Sequence, residues 1–98
     1  MYTAKEILWD AKRRIIDPAM WGKGRRNINR SLATYCAAEA FDESAPMCGT
    51  ERKRAARALY NAAGIEDRWG SLIEWNDKPE RTHDEVIKTF NLAIALVR

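Results

Sequence analysis

Histidine occurs once in this 98-residue chain, as His83, and cysteine twice, as Cys36 and Cys48. Two cysteines twelve residues apart and one distant histidine leave no Cys/His zinc spacing. No metal and no cofactor is expected. Long apolar runs are absent too. The longest uncharged stretch, between Lys88 and Arg98, holds nine residues and includes Asn91; spanning a bilayer takes about 20. The start of the chain carries Lys5, Glu6, Asp10 and Lys12. It therefore lacks the unbroken apolar stretch of ~7–15 residues that a secretory signal needs. These absences predict a cytoplasmic protein with reduced thiols and no membrane contact.

Apolar residues make up 46% of the chain and charged residues 32%, which suits a globule better than a disordered tail. The length supports one domain, residues 1–98, able to bury roughly 60–65% of the unfolded surface. The net charge of +3 hides an uneven distribution. Segment 12–30 sums to +6, with Lys12, Arg13, Arg14, Lys23, Arg25, Arg26 and Arg30 against Asp17. Segment 51–57 adds +3 through Arg52, Lys53, Arg54 and Arg57 against Glu51, and segment 66–85 sums to −4. Such blocks either neutralise one another in the fold or face a charged partner.

Strand patterning is poor, and helical patterning recurs. A first helix is expected from about Ala4 to Ile16. Thr3 and Glu6 have capping-box spacing. Ala4, Ile7, Leu8, Ala11 and Ile15 share one face, and Pro18 ends the element. Trp9 and Ile16 lie off that face and are expected against the following loop, where Gly22 and Gly24 sit. A second helix is expected over about Ser31 to Phe41, apolar nearly all round and hence central. In it Glu39 needs a partner if buried. A third is expected over about Thr50 to Ala63, with Thr50 as N-cap. Gly64 closes it in a Schellman turn that brings Ile65 to Tyr60. Its inward face is Ala55, Ala56, Leu59, Ala62 and Ala63, with Lys53, Arg54 and Arg57 outside. Residues 65–81 read as irregular, with a short helix near Ser71–Trp75. The last helix starts at a second capping box, Thr82 and Glu85, and buries Val86, Ile87, Phe90, Ala93, Ile94 and Val97. The expectation is a compact all-α domain of about four helices.

Three short segments look familiar together. They are Trp75-Asn76-Asp77 followed by Thr82-His83-Asp84-Glu85-Val86, then Trp21 to Gly24, then Cys36-Ala37-Ala38-Glu39-Ala40. With them the chain resembles a family of small bacterial and phage proteins known only as a domain of unknown function. The resemblance covers about residues 4–97. It departs at Glu39, where the family pattern has glycine. It implies a small helical accessory domain and no established activity.

Several clusters carry possible chemistry. Asn76, Asp77 and His83 beside Trp75 make a small polar site, with His83 at the first helical position as an imidazole able to accept or donate a proton. The same residues also serve structure: a turn before Pro79, an anchored tryptophan and a helix cap. A cysteine hydrolase needs a thiolate, a base and an orienting group. Cys36, His83 and Asn76 or Asp77 supply those types, but Cys36 is expected inside a helix, where nothing depresses its pKa. Gly22-Lys23-Gly24 lacks the spacing of a phosphate loop. Nucleic-acid binding draws on Arg25, Arg26 and Arg30 with Trp21 to stack on a base, and on the basic face of the third helix. Protein binding or self-association draws on Trp9, Trp21, Trp69 and Trp75, a high tryptophan count for this length. The favoured expectation is a cytoplasmic bacterial or phage accessory protein that binds a protein partner or itself. Nucleic-acid binding follows, and a Cys/His hydrolase stands far behind.

Overall fold

Three α-helix starts in this chain are set by side chains that stand in for missing backbone partners. The computed structural model describes residues 3–23, 35–45, 49–68 and 70–97. The first helix, α1, spans Ala4–Arg14. Thr3 Oγ1 accepts the Glu6 amide and Glu6 Oε1 accepts the Thr3 amide at 2.9 Å, so the expected capping box is formed. The helix stops at Arg14 rather than Ile16, and Asp17 then caps a 3₁₀ turn over Pro18–Met20 through the Ala19 amide. Residues 24–30 of the loop expected to meet Trp9 and Ile16 lie outside the described residues. Trp9 and Ile16 stand 51% and 48% exposed.

The second helix, α2, is Ala37–Ser44 rather than 31–41. Tyr35 is extended: its amide donates to the Met20 carbonyl at 2.8 Å, and the Gly22 amide donates to the Tyr35 carbonyl at 3.1 Å. The helix begins where a third capping box closes. Glu39 Oε1 accepts the Cys36 amide at 3.0 Å, and Cys36 Sγ accepts the Glu39 amide at 3.4 Å. Cys36 is thus the N-cap, not an interior residue, and Glu39 has the partner its burial requires. Residues 31–34 of the expected helix lie outside the described residues.

Helix α3 spans Thr50–Ala63. Its N-cap is Gly49, not Thr50, because the chain turns there at φ 119°, a conformation that suits glycine. At the other end Gly64 adopts φ 71°, and its amide donates to the Asn61 carbonyl while the Ile65 amide reaches the Tyr60 carbonyl. That is the Schellman pairing read from the sequence. Helix α4 spans Ser71–Asp77 and α5 spans His83–Leu96, the latter opened by the Thr82/Glu85 capping box. Five α-helices are therefore present among the described residues, where about four were expected, and they contain no β-strand.

The helices close round one core. Helix α1 is central, packing on α2, α3 and α5, a place expected for the second helix. Ile7, Leu8, Ile15, Leu59, Val86 and Phe90 are among its large buried side chains, and alanines fill the contacts between them. Small residues there let the helix axes approach closely, so packing density rather than side-chain bulk carries the burial. Glu51 adds a polar tie: its Oε1 accepts the Ala4 amide at 2.7 Å and so fastens the start of α1 to α3. That bond, with the Arg54 guanidinium beside it, lowers the Glu51 carboxyl below the usual glutamate range. No helix among the described residues is long and apolar enough to cross a membrane.

Candidate functional site

Asn76 lies in the last turn of α4 and is fully buried. A carboxamide offers one accepting oxygen with two lone pairs and two donor hydrogens. Here all four are used. Oδ1 accepts the Trp21 indole N–H at 2.7 Å and the Ala37 amide at 3.0 Å. Nδ2 donates to the Gly22 carbonyl at 3.2 Å and to Asp77 Oδ1 at 3.0 Å. The Ala37 amide is one of the four that a helix start leaves without an internal partner. Asn76 therefore joins the Trp21 segment, the start of α2 and the end of α4. Three segments remote in sequence thus converge on this one side chain.

The ring of His83 lies against that junction. Its centroid is 5.9 Å from that of Trp21, with the planes inclined at 56°. Nε2 sits 2.7 Å from the Ile15 carbonyl, just past the end of α1. A carbonyl can only accept, so Nε2 carries the hydrogen and in the neutral ring Nδ1 is the acceptor. Lys23 Nζ donates to the carbonyls of Lys78 and Pro79, at 2.6 and 2.9 Å, and lies 5.9 Å from the Trp21 ring. Trp75 is buried in the core, with the Arg81 guanidinium 4.2 Å above its ring and Arg81 Nε donating to its carbonyl at 2.9 Å. The polar residues expected to form a small site thus lie near one another, with Asn76 held by four hydrogen bonds, Asp77 accepting one of them, and His83 held by the Ile15 carbonyl.

Cys36 belongs to the same neighbourhood without joining His83; no hydrogen bond links them. Its thiol is buried, and that burial, reinforced by the Glu39 and Asp77 carboxylates, pushes its pKa up to about 11. A nucleophilic cysteine needs the opposite shift. Position at a helix N-cap does not rescue it, because the nearby charges are negative. Among the described residues no group of three or more His, Cys, Asp and Glu is placed to hold a metal. Arg25, Arg26, Arg30 and Trp69 lie outside the described residues.

Most ion pairs among the described residues are short in sequence. Arg13 and Arg14 pair with Asp10, Arg54 with Glu51, Arg68 with Glu66 and Glu74, and Lys88 with Asp84. Arg52 is the longer-range case, reaching Asp42 at 2.9 Å while lying over the Phe41 ring. It contributes its own cation to a hollow of about 300 Å³ lined also by Tyr60 and Asp67. On the outer face of α3, Lys53 and Arg57 are exposed, and no ion pair involves either among the described residues.

A second region differs in kind. Between α3 and the end of α5 runs an open groove of about 330 Å³, lined by Arg54, Arg57, Ala58, Asn61, Leu96 and Val97. Leu92 and Leu96, one turn apart on α5, stand 49% and 47% exposed. Neither was singled out from the sequence. The available signal was their position: both fall to one side of the buried stripe Val86, Phe90, Ala93 and Val97, so they lie about a quarter-turn or more from the core direction.

No curated protein and no solved structure matches this chain. A family model does match residues 1–96, nearly the whole sequence that folds into the five helices and their Asn76 junction. The chain belongs to that family, the family of unknown function DUF6197.

Proposed function

We propose that this is a cytoplasmic accessory protein, of bacterial or phage type, that acts by binding another protein through the edge formed by α3 and α5. The observation that carries this reading is the pair Leu92 and Leu96, each about half exposed and one turn apart, with Leu96 lining an open groove. Exposed leucines in register on a helix gain free energy when a partner covers them, at about 25 cal/mol per Å² of apolar area removed from water. A reducing compartment suits Cys36, whose thiol caps α2. Catalysis finds less support, since the candidate thiol is held protonated and the candidate imidazole is bonded to a backbone carbonyl.

The test is capture of proteins from host lysate with and without nuclease, followed by reconstitution of each with the purified chain. A direct complex is expected, weakened about ten-fold or more by Leu92→Glu with Leu96→Glu. A complex indifferent to both substitutions rejects this face. Nucleic acid is the second reading, favoured by the exposed Lys53, Arg54 and Arg57 on one face of α3. It gains if every captured protein is lost on nuclease treatment. Light scattering of the purified chain separates self-association from binding of a different protein.

A further inference from the structure

Resting on that reading, we infer that the occupant of the α3–α5 groove is an acidic amphipathic helix of a different protein. The shape comes first. An open groove beside a packed helix pair suits a third helix, which docks with leucine-type anchors at i, i+3 or i+4 and i+7. The floor is apolar, from Ala58 and Val97, and one wall is Leu96 with Leu92 a turn behind it.

Charge then selects the partner. The opposite wall is basic: Arg57 lines the groove beside Arg54, whose guanidinium also pairs with Glu51, and Lys53 stands on the same outer face of α3. Among the described residues no acidic side chain lines the groove. Glu51, the acid of the first turn of α3, faces the Ala4 amide and Arg54. A partner helix with an apolar stripe and carboxylates along one flank therefore meets leucines with leucines and cations with anions.

Two other occupants fit less well. A second copy of this chain, docked by a twofold axis along the groove, sets the same basic wall against itself, since such an interface matches each patch to its own copy. Like charges there oppose association. Nucleic acid leaves Leu92 and Leu96 without use, because phosphate contacts gain nothing from exposed leucine.

The experiment uses the whole chain and two synthetic helical peptides of about 18 residues, long enough to hold a helix. Both carry the same leucine stripe; one has Glu on its flanks and the other Lys. Binding is read by fluorescence anisotropy, and the site by amide chemical shifts of the labelled protein. The Glu peptide is expected to bind at least ~10-fold tighter at about 0.05 M salt, with the preference shrinking near 0.5 M. Arg57→Glu with Lys53→Glu is expected to reverse the preference, with shifts confined to α3 and the last turns of α5. Equal affinity, a Lys preference, shifts elsewhere, or no binding of either peptide at ~1 mM overturns the inference. Leu96→Glu should weaken the Glu peptide while the helical circular dichroism stays unchanged. A reconstituted partner that needs Leu92 and Leu96 but offers no acidic helix overturns this inference alone. Indifference of both partner and peptide to Leu96→Glu overturns the docking reading with it.

Discussion

The Asn76 junction and the α3–α5 edge are opposite solutions to placing polar and apolar groups. At the junction a buried polar side chain meets every hydrogen-bonding demand within the fold, and two aromatic rings and a lysine close round it. At the edge two leucines face water, and Lys53 and Arg57 carry no ion pair among the described residues. The comparison teaches where to look for function. Residues that stand out in the sequence, a tryptophan, an asparagine and a histidine near one another, are occupied by structure. The residues left unoccupied are ordinary ones.

The comparison breaks most sharply at Asn76. Replacing it with alanine leaves the Trp21 N–H, the Ala37 amide and the Gly22 carbonyl without partners, so a loss of about 3 kcal/mol or more is expected in urea unfolding. A change under about 0.5 kcal/mol would mean that the junction is a site rather than a strut. Next in size is Cys36→Ala, which removes the α2 cap and a buried sulfur and should cost about 1–2 kcal/mol. Trp21→Phe keeps the ring and deletes one donor, and about 1 kcal/mol is expected because Asn76 Oδ1 still holds the Ala37 amide. By contrast Leu96→Glu should alter stability by no more than about 0.5 kcal/mol, while binding through that edge falls. The smallest effect concerns pH. The folded-state pKa of Glu51 is lowered, so its contribution is present above the ordinary glutamate range and is lost as pH falls through the folded value. Melting temperatures of wild type and Glu51→Gln should therefore differ near neutrality and converge in acid.

Local chemistry was legible from sequence, and distant chemistry was not. Thr3 with Glu6, Thr82 with Glu85, and Gly64 with Ile65 act within five residues, so spacing alone reveals them. The Cys36 and Glu39 box is just as local, but cysteine is an uncommon N-cap and the alanines around it extend a helical pattern backwards through Tyr35. That is why α2 begins later than expected. Gly49 displaced Thr50 as cap for a similar reason: a backbone turn at positive φ needs no side chain to announce it. The partners of Asn76 lie 39 to 55 residues away apart from Asp77, and no periodicity points to them. Leu92 and Leu96 were readable as off-stripe positions, yet the run of nine uncharged residues between Lys88 and Arg98 hides which apolar residues face out.

The reach of Asn76 has a kinetic side. A helix normally nucleates from its own neighbourhood within microseconds. The first amide of α2 instead waits for α4, whose asparagine is 39 residues further along the chain. The start of α2 is therefore completed only after a long loop has closed. Its Ala37 amide should exchange with solvent only when the whole molecule opens, which makes that one hydrogen a clock for global unfolding.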